Sequence, residues 1–457
     1  FGSSAARGLL PQHSLPPPPP LPYPQHQVMP AAIPEVLLLL LAGASCVGGI
    51  RLSPNKADDE AVDLVDETSV VEYPYAVSGG NKFRTSALKA TVSQQVLSSK
   101  PSWTFKEEMK EGVQSTTYNY SWGPVQGAPL VDDQMNLYVS TLSGSIYKMS
   151  PEGQIIWTYQ RPAGARLPGT PAIMNGTLYS ADTKGRAFAL DMETGTEKWN
   201  IQASDCCISD DAWSVAVGEG VVLVPAIHPN HVTFKTPDGP NTRLVALDAT
   251  NGNRLHRIEA FFGCTFTNVR VAIRNGSYVY ADEVGNVWRR HLISGIPLWH
   301  TLVKRDTSPN IGSVAISPKG DTVFATWNEV AWDKEQTVGM VGALNFADGR
   351  LLWRRGTELT ADTHPAVGLF GKGPAATLAV VVATGVGPTS RFDWQAGDVA
   401  GQDQQKAQVV GFAADGPRAG SLLFKQDIET GKSAVAGDAT PCAHRGTLAT
   451  PTIGSDG

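Results

Sequence analysis

Several features that would point to a familiar chemistry are missing from this sequence. It has only 5 Cys in 457 residues, and it lacks a Cys-x-x-Cys-His haem segment, a Gly-x-Ser-x-Gly elbow and a nucleotide fingerprint. Lys and Arg number 37 against 43 Asp and Glu, and no basic run occurs. Because nucleic-acid-binding faces depend on clustered basic side chains, we do not expect a nucleic-acid partner.

A long hydrophobic run is missing as well. The apolar run Val36–Leu41 is too short to span a bilayer, so no transmembrane segment is expected. Ala42-Gly43-Ala44 follows it and fits a signal-peptide cleavage site, although Glu35 stands where a basic residue is usual. We therefore predict a signal peptide at residues 29–44 and a secreted protein, extracellular, lumenal or periplasmic. A disordered apolar leader is the alternative.

The flanks of this leader differ in composition. Residues 1–28 form a Pro-rich, low-complexity extension, which precedes the first Met, Met29. Residues 45–72 are rich in Asp and Glu and predict an acidic linker. The remaining residues, 73–457, are predicted to form the folded domain.

That domain contains a repeated segment. Ala189–Trp199, ALDMETGTEKW, predicts a strand, a tight turn in which Gly195 takes a positive φ, and a second strand. The spacing recurs with Gly at the seventh place of each copy: Tyr147–Trp157, Ala246–His256, Arg289–Trp299 and Ala343–Trp353. From Trp103 to Trp353 the period is about 50 residues, which is typical of β-propeller blades.

The pattern AxDxxTGxxxW, which the copy Ala189–Trp199 matches in full, resembles the tryptophan-docking motif of the PQQ-repeat (quinoprotein alcohol dehydrogenase-like) β-propellers. The resemblance covers about residues 73–457. It implies an all-β propeller of four-stranded antiparallel blades, seven or eight in the full protein. It also implies a docking role between blades for these residues: Trp157, Asp191, Gly195, Trp199, His256, Trp299 and Trp353.

Six blades can be traced between Gly127 and Gln426, with long insertions expected at His228–Thr242, Trp327–Thr337 and Gly385–Gln408. Such loops gather at the ends of a propeller, where binding surfaces are usual. Arg445–Gly457 resembles the beginning of a further blade. We therefore expect the last blade to be incomplete in this chain and the native protein to be longer.

The N-terminal part of the domain also resembles the family. Tyr73–Ser93 resembles the segment with which many PQQ-repeat domains begin, including the basic pair Arg84-Thr85. Pro101–Phe105 resembles the strand that follows it. In the family this N-terminal strand commonly completes the last blade, so that no sheet edge stays exposed.

The adjacent cysteines Cys206 and Cys207 are the first candidates for chemistry. In the quinoprotein alcohol dehydrogenases, a vicinal disulfide packs against the quinone, between a docking Trp and the first strand of the next blade. Cys206-Cys207 follows the docking Trp199 in a similar place, although the residues after it depart from the Asn-Arg-Gly of those enzymes. The resemblance implies a quinone site here. Two free thiols, or one thiol paired with Cys264 or Cys442, are the alternatives.

Metal ligands are harder to find. The same enzymes hold calcium or a lanthanide through Glu and Asn oxygens beside a catalytic Asp. The Gly-Asn-x-x-Pro-Trp type segment that supplies their Asn does not occur here. Glu329 and Asp333, in the loop expected in the fifth blade, remain weak candidates, as do Asp210 and Asp211. Solvated loop carboxylates are the alternative interpretation.

His256 stands in the place of a docking Trp. We expect it to form a hydrogen bond between blades rather than to bind a ligand.

Three Asn-x-Ser/Thr sequons, at Asn119, Asn175 and Asn275, are glycosylation candidates if the chain is secreted by a eukaryotic pathway. Asn175 and Asn275 are each followed by Gly, and Asn-Gly is also the preferred dipeptide of type I′ hairpin turns.

Two functions remain open at this point. One is a secreted propeller that binds a protein or small-molecule ligand on one face, with no certain cofactor. The other is an alcohol or sugar dehydrogenase that depends on PQQ and on calcium or a lanthanide. The missing metal-ligand segment favours the binding module, and no catalytic residue is identified.

Overall fold

A computed structural model describes residues 71–87, 102–105, 107, 125, 127–204, 214–227, 242–259, 270–282, 285–303, 313–330, 337–361, 363–385, 407–428 and 451–454. All of them belong to the unit Leu52–Gly457. They form six antiparallel sheets of four strands each, and one short 3₁₀ helix at Gly373–Ala375. The predictions for residues 1–70, including the signal peptide and most of the acidic linker, lie outside the described residues.

In each sheet, four consecutive strands pair in chain order. The strands of the first two sheets are Leu130–Val131 (β1), Leu137–Ser140 (β2), Ser145–Met149 (β3), Ile155–Gln160 (β4), Ala172–Met174 (β5), Thr177–Ala181 (β6), Arg186–Asp191 (β7) and Glu197–Gln202 (β8). Those of the third and fourth sheets are Ala216–Gly218 (β9), Val221–Ile227 (β10), Thr242–Asp248 (β11), Arg254–Glu259 (β12), Ala272–Arg274 (β13), Ser277–Ala281 (β14), Asn286–His291 (β15) and Pro297–Leu302 (β16). Those of the last two are Val314–Ile316 (β17), Thr322–Val330 (β18), Thr337–Asn345 (β19), Leu351–Gly356 (β20), Ala366–Phe370 (β21), Thr377–Gly385 (β22), Ala407–Ala413 (β23) and Leu422–Ile428 (β24).

The third and fourth strands of every sheet show a register shift beside the turn that joins them. It falls between Lys148 and Met149, Ala189 and Leu190, Ala246 and Leu247, Arg289 and Arg290, Ala343 and Leu344, and Gly411 and Phe412. A bulge bends its strand and increases the local twist. All six outer strands therefore carry the same irregularity beside the turn that joins them to the third strand.

The hydrophobic core lies between successive sheets. Tyr179 and Trp199 of the second sheet pack with Val222 and Val245 of the third in one cluster. The second strand of a sheet is buried along its length, as in β6, whereas the fourth alternates between exposed and half-buried residues, as in β4. The short inner strands of consecutive sheets contact one another. This arrangement is a β-propeller, so the predicted fold class is confirmed; a total of seven or eight blades stays a prediction.

One predicted boundary differs from the structure. The insertion expected at Trp327–Thr337 is shorter, because β18 continues to Val330 and β19 begins at Thr337. The sixth traced blade is a complete sheet of four strands, like the other five. Among the described residues, no helix is long and apolar enough to cross a membrane.

Candidate functional site at the axis and the loop end

The antiparallel order gives every sheet two different ends. Turns between the first and second strands and between the third and fourth lie at one end, the turn end, and none exceeds the eight residues of Ala414–Ser421. The other connections leave from the opposite end, the loop end, and they include residues 228–241, 331–336 and 386–406. The three predicted insertions thus attach to the same end of the propeller.

Residues 73–87, the axial segment, form a loop that is closed by its own hydrogen bonds. The Ser86 N–H donates to the Gly79 carbonyl at 2.8 Å, and the Phe83 N–H donates to Asn81 Oδ1 at 3.0 Å. Gly79 has a φ of +84°, a conformation that side chains other than hydrogen disfavour. The segment therefore has a defined shape of its own.

The carbonyl groups of the axial segment face outward toward the inner strands. Its acceptors and their donors are Tyr75 O with Val131 N–H of β1 (3.0 Å), Ala76 O with Ile173 N–H of β5 (2.8 Å), Lys82 O with Ile273 N–H of β13 (2.8 Å), Phe83 O with Ile316 N–H of β17 (2.9 Å), Thr85 O with Val367 N–H of β21 (2.6 Å), and Ser86 O with Ile453 N–H (3.0 Å). Successive residues of the segment meet successive sheets, so the segment curls around the axis inside the ring of inner strands.

The side chain of Arg84 contacts the third sheet. Arg84 is fully buried, and its guanidinium donates to the carbonyls of Val271 at 2.9 Å, Val215 at 3.3 Å and Ser78. Val215 directly precedes β9 and Val271 directly precedes β13. One guanidinium therefore joins the third and fourth sheets where their inner strands begin.

His364 lies against the same segment. Its Nε2 donates to the Arg84 carbonyl at 2.9 Å, and its Nδ1 lies 2.9 Å from Ser313 Oγ. Because a carbonyl can only accept, Nε2 carries a proton. Burial, followed by the positive charges of Arg270 and Arg84, holds the pKa of His364 well below its usual value. Burial and the charge of Arg270 also lower the pKa of Arg84.

The axial segment spans the full length of the inner strand β9. Beside the loop end of β9, Arg84 binds the Val215 carbonyl, and just past the turn end Lys82 forms a 3.5 Å ion pair with Glu219. The segment therefore fills the axis at this depth. A ligand on the axis would have to bind beyond the loop ends of the inner strands.

Around the outer rim, Trp103 and one ring from each of the first five sheets pack on a turn glycine of the sheet that follows. A Cβ added to the glycine would lie within 3.0 Å of the ring in every pair: Trp103 and Gly153, Trp157 and Gly195, Trp199 and Gly252, His256 and Gly295, Trp299 and Gly349, and Trp353 and Gly420. The sequence spacing missed Gly420, because the turn between β23 and β24 is longer than the others.

Polar contacts fix the orientation of these rings and turns. The Trp199 indole N–H donates to the Ala249 carbonyl at 3.0 Å, in the turn of the following sheet. Within the turn of its own sheet, Asp191 Oδ1 accepts from the Thr194 N–H at 3.0 Å and from Thr194 Oγ1 at 3.1 Å. The Thr194 bond, and then Lys198, lower the pKa of the Asp191 carboxyl. The Asp and Thr of the motif therefore stabilise the turn between β7 and β8.

His256 uses both ring nitrogens. Nδ1 donates to the Ile293 carbonyl of the next sheet at 3.0 Å, so Nε2 accepts from the Tyr278 hydroxyl at 3.1 Å. The two rings stack with centroids 5.9 Å apart. Burial is the main cause that lowers the pKa of His256. Both bonds join the third sheet to the fourth.

The predicted quinone and metal residues are not brought together by the described part of the chain. Cys206, Cys207 and Asp333 lie outside the described residues. Glu329 lies on strand β18 rather than in a loop, and its Oε1 accepts from the Trp327 indole at 3.0 Å and pairs with Arg354 at 3.1 Å. Within the described ranges, no group of three or more His, Cys, Asp or Glu is arranged to hold a metal ion.

Two of the three sequons lie in tight turns. Asn175 and Asn275 are exposed with φ of 47° and 49°, and each precedes a glycine of positive φ, as a type I′ turn requires. Glu219 accepts from the Asn275 N–H at 3.0 Å. Asn119 lies outside the described residues.

Sequence reasoning did not find the function of the axial segment. The sequence pattern included Arg84 only as the basic member of the pair Arg84-Thr85. It gave no indication of a role for Arg270 or His364. The contacts of Arg84 with Val271 and of His364 with Arg84 join residues 187 and 280 positions apart. Arg84, four residues after Gly80 in a short glycine-containing segment, was the one available signal.

Parts of this chain are similar in sequence to known proteins. The family described as outer membrane protein assembly factor BamB matches residues 119–207. Polyvinylalcohol dehydrogenase of Sphingopyxis sp. (strain 113P3) is 25% identical over 245 residues, which cover 49% of this chain and 34% of that enzyme. The chain therefore spans about a third of the length of this relative.

Solved structures are similar at low identity. BamB from Moraxella catarrhalis is 16% identical with a TM-score of 0.41, over 67% of this chain and 77% of that chain. Quinohemoprotein alcohol dehydrogenase ADHIIG from Pseudomonas putida HK5 is 12% identical with a TM-score of 0.44, over 72% and 60%. The repeated motif, the six four-stranded sheets and the matches in sequence support the PQQ-repeat β-propeller superfamily for this chain.

Proposed function

We propose that this protein is a binding and scaffold module that engages a protein or small-molecule partner at its loop end. The axial segment carries this proposal, because it occupies the axis along β9, between the Val215 carbonyl and Glu219. The connections at residues 228–241, 331–336 and 386–406 leave the sheets at the loop end, and we propose that they form part of the recognition surface. Loops on a rigid scaffold are the usual site of recognition.

The outer rim supports the scaffold role. We assign docking to Trp157, Trp199, His256, Trp299 and Trp353, since each ring packs on a glycine of the next blade. Rings that bury large apolar area between sheets make a stiff support for loops.

We also propose that the protein is secreted. The apolar run and the cleavage-site pattern at residues 29–44 support this, and so does the match to a family described as an outer membrane assembly factor. Mass spectrometry of the mature N-terminus tests it. A mature chain that starts just after Ala44 is expected, and retention of residues 29–44 in the mature protein would contradict secretion through this leader.

The alternative is a dehydrogenase that depends on PQQ and on calcium or a lanthanide. The partial similarity to polyvinylalcohol dehydrogenase favours it, as does the place of Cys206-Cys207 in the connection from β8 to β9, which attaches to the loop end. The axis inside the ring does not fit a quinone, because the guanidinium of Arg84 is already bonded to three carbonyls there. A quinone site would have to be built from the loop-end connections.

A titration separates the two functions. The full chain is titrated with PQQ in the presence of calcium or lanthanum, and tryptophan fluorescence and dye reduction with simple alcohols are followed. A binding module shows neither saturable quinone binding nor dye reduction. Saturable binding with dye reduction that disappears in Cys206→Ala/Cys207→Ala would establish the dehydrogenase instead.

Cross-linking in cells that express the chain tests whether the partner binds at the loop end. A lysine-reactive reagent should join the partner to lysines of the loop-end connections, Lys235, Lys334 and Lys406. Lys319 and Lys372, in turns of the opposite end, serve as the matched control. Cross-links concentrated at these two lysines would contradict a loop-end partner.

A further inference from the structure

We propose that the axial segment, residues 73–87, is an internal peptide ligand of the propeller. The ring of inner strands recognises it as a receptor recognises a bound peptide. The same segment, supplied as a separate peptide, can therefore occupy the axis. This inference goes beyond the proposed function and does not depend on it.

The first support is the shape of the segment. Its fold is closed by internal bonds, such as Ser86 N–H to Gly79 O at 2.8 Å and Arg84 N–H to Asn81 O at 2.9 Å. The Asn81 side chain adds a bond to Thr85 Oγ1 at 2.7 Å. A ligand that holds its bound shape by itself loses little conformational entropy on binding.

The second support is the way the segment is held. Its carbonyls accept from inner strands of five sheets, and Arg84 bonds beside the inner strand of the remaining one. Buried N–H groups need partners, and here the inner strands find them in the axial segment. The partners of Arg84 lie up to 187 positions away, so these contacts, and not proximity in sequence, hold the segment on the axis.

The third support is selectivity for sequence. A Cβ on Gly79 would lie 2.9 Å from Nε2 of His364 and 3.3 Å from Cδ of Arg84. His364 is buried and is itself bonded to the segment, so it has little freedom to move away. Lysine could not replace Arg84, because its single nitrogen lacks the fork that reaches three carbonyls. The axis therefore selects Gly and Arg at fixed places in the peptide.

The experiment uses the full chain with Gly79→Val and Arg84→Ala, which weaken its own axial segment. The variant is refolded from urea with increasing amounts of a synthetic peptide of residues 73–87, and the folded fraction and Tm are measured. Without peptide, we expect a Tm lower than that of the natural sequence by roughly 10 °C. With peptide, we expect folded fraction and Tm to rise with peptide concentration and to saturate.

Two controls make the result specific. A peptide that carries the same two substitutions should have no effect. The chain with Arg186→Ala, which removes an arginine from the strand β7 far from the axis, should fold without added peptide. A fluorescent wild-type peptide should not bind the natural chain, whose axis is already occupied.

Two outcomes would overturn the proposal. One is a doubly substituted chain that folds with the natural Tm, because the ring would then not need the segment. The other is a destabilised chain that the wild-type peptide does not restore. Neither outcome would affect the partner at the loop end, which the cross-linking experiment tests separately.

Discussion

At the outer rim each docking ring joins two neighbouring sheets, whereas at the axis residues 73–87 contact all six. The rim contacts repeat with the blade, and most consist of a Trp on a glycine. The axial contacts occur once, are mostly hydrogen bonds, and depend on Arg84 and His364. The two regions therefore distribute stability differently. Loss of a rim contact should destabilise only the two sheets that it joins, and loss of an axial contact should destabilise all six sheets.

Arg84→Ala should have the largest effect. It leaves three buried carbonyls without their donor, and each unpaired group costs about 1–3 kcal/mol, or roughly 3–9 kcal/mol in total. Hydrogen exchange measured by mass spectrometry should show faster exchange in all six sheets. Arg186→Ala is the control, because it loses bonds only to Asn200 and Gln202 of its own sheet, so any faster exchange should stay in the second sheet. Faster exchange confined to the third and fourth sheets would show that loss of an axial contact acts as locally as loss of a rim contact.

Trp199→Ala should come next. Trp199 is 9% exposed and bonds to the Ala249 carbonyl, so its removal leaves a large cavity between two sheets. Truncation of a buried Trp costs about 3–5 kcal/mol. We expect faster exchange only in the second and third sheets, measured in the same way. Trp157→Ala should move the effect to the first and second sheets; exchange that spreads around the ring in either variant would contradict a local rim.

The pH dependence should give a smaller effect that comes from the axis. The pKa of His364 in the folded chain lies below the unfolded value of about 6.5, so between the two values only the unfolded chain binds the proton. The stability from this group is complete above pH ~6.5 and falls by about 1.4 kcal/mol per pH unit below it, down to the folded pKa.

Urea unfolding at several pH values between neutral and mildly acidic measures this slope. His364→Gln should remove most of it, since Gln keeps a donor for the Arg84 carbonyl but does not titrate. His256→Gln at the rim should remove less, because His256 is only half-buried although its pKa is also lowered. Equal reductions of the pH slope in the two variants would mean that the deeper burial of His364 does not increase its contribution to that slope.

His256→Trp should have the smallest effect. An indole N–H could donate to the Ile293 carbonyl, as the other docking rings do, but the Tyr278 hydroxyl would lose its acceptor. The gain in apolar contact and the loss of one hydrogen bond should leave a net change of about 1 kcal/mol or less. Urea unfolding checks this. A loss of several kcal/mol would show that the rim depends on the identity of this ring as strongly as the axis depends on Arg84.

Much of the rim could be predicted from the sequence, because its determinants are local and repeated. The spacing of Gly195 and Trp199, copied along the chain, was enough to place strands and turns, and it predicted the rings that we propose to dock. The repeated spacing does not predict the structure where the repeat is irregular. Gly420 lies in a longer turn, and Glu329 continues a strand where an insertion was expected.

The axis could not be predicted in the same way. A local pattern does not record which carbonyl a guanidinium will reach when the partner lies 187 positions away. The same segment, read alone, predicted only the beginning of a domain. Its contacts exist only after the sheets have closed around it.

By itself, then, the sequence determined the blade. Apolar alternation, a glycine that can take positive φ and an aromatic ring at a fixed distance act within about 50 residues, and short-range rules suffice for them. Only the tertiary structure decided what fills the axis and which end of the ring carries the long connections. Both depend on how six separately specified sheets are arranged in space, because buried N–H groups and a buried guanidinium take their partners from whichever chain segments the closed ring brings together.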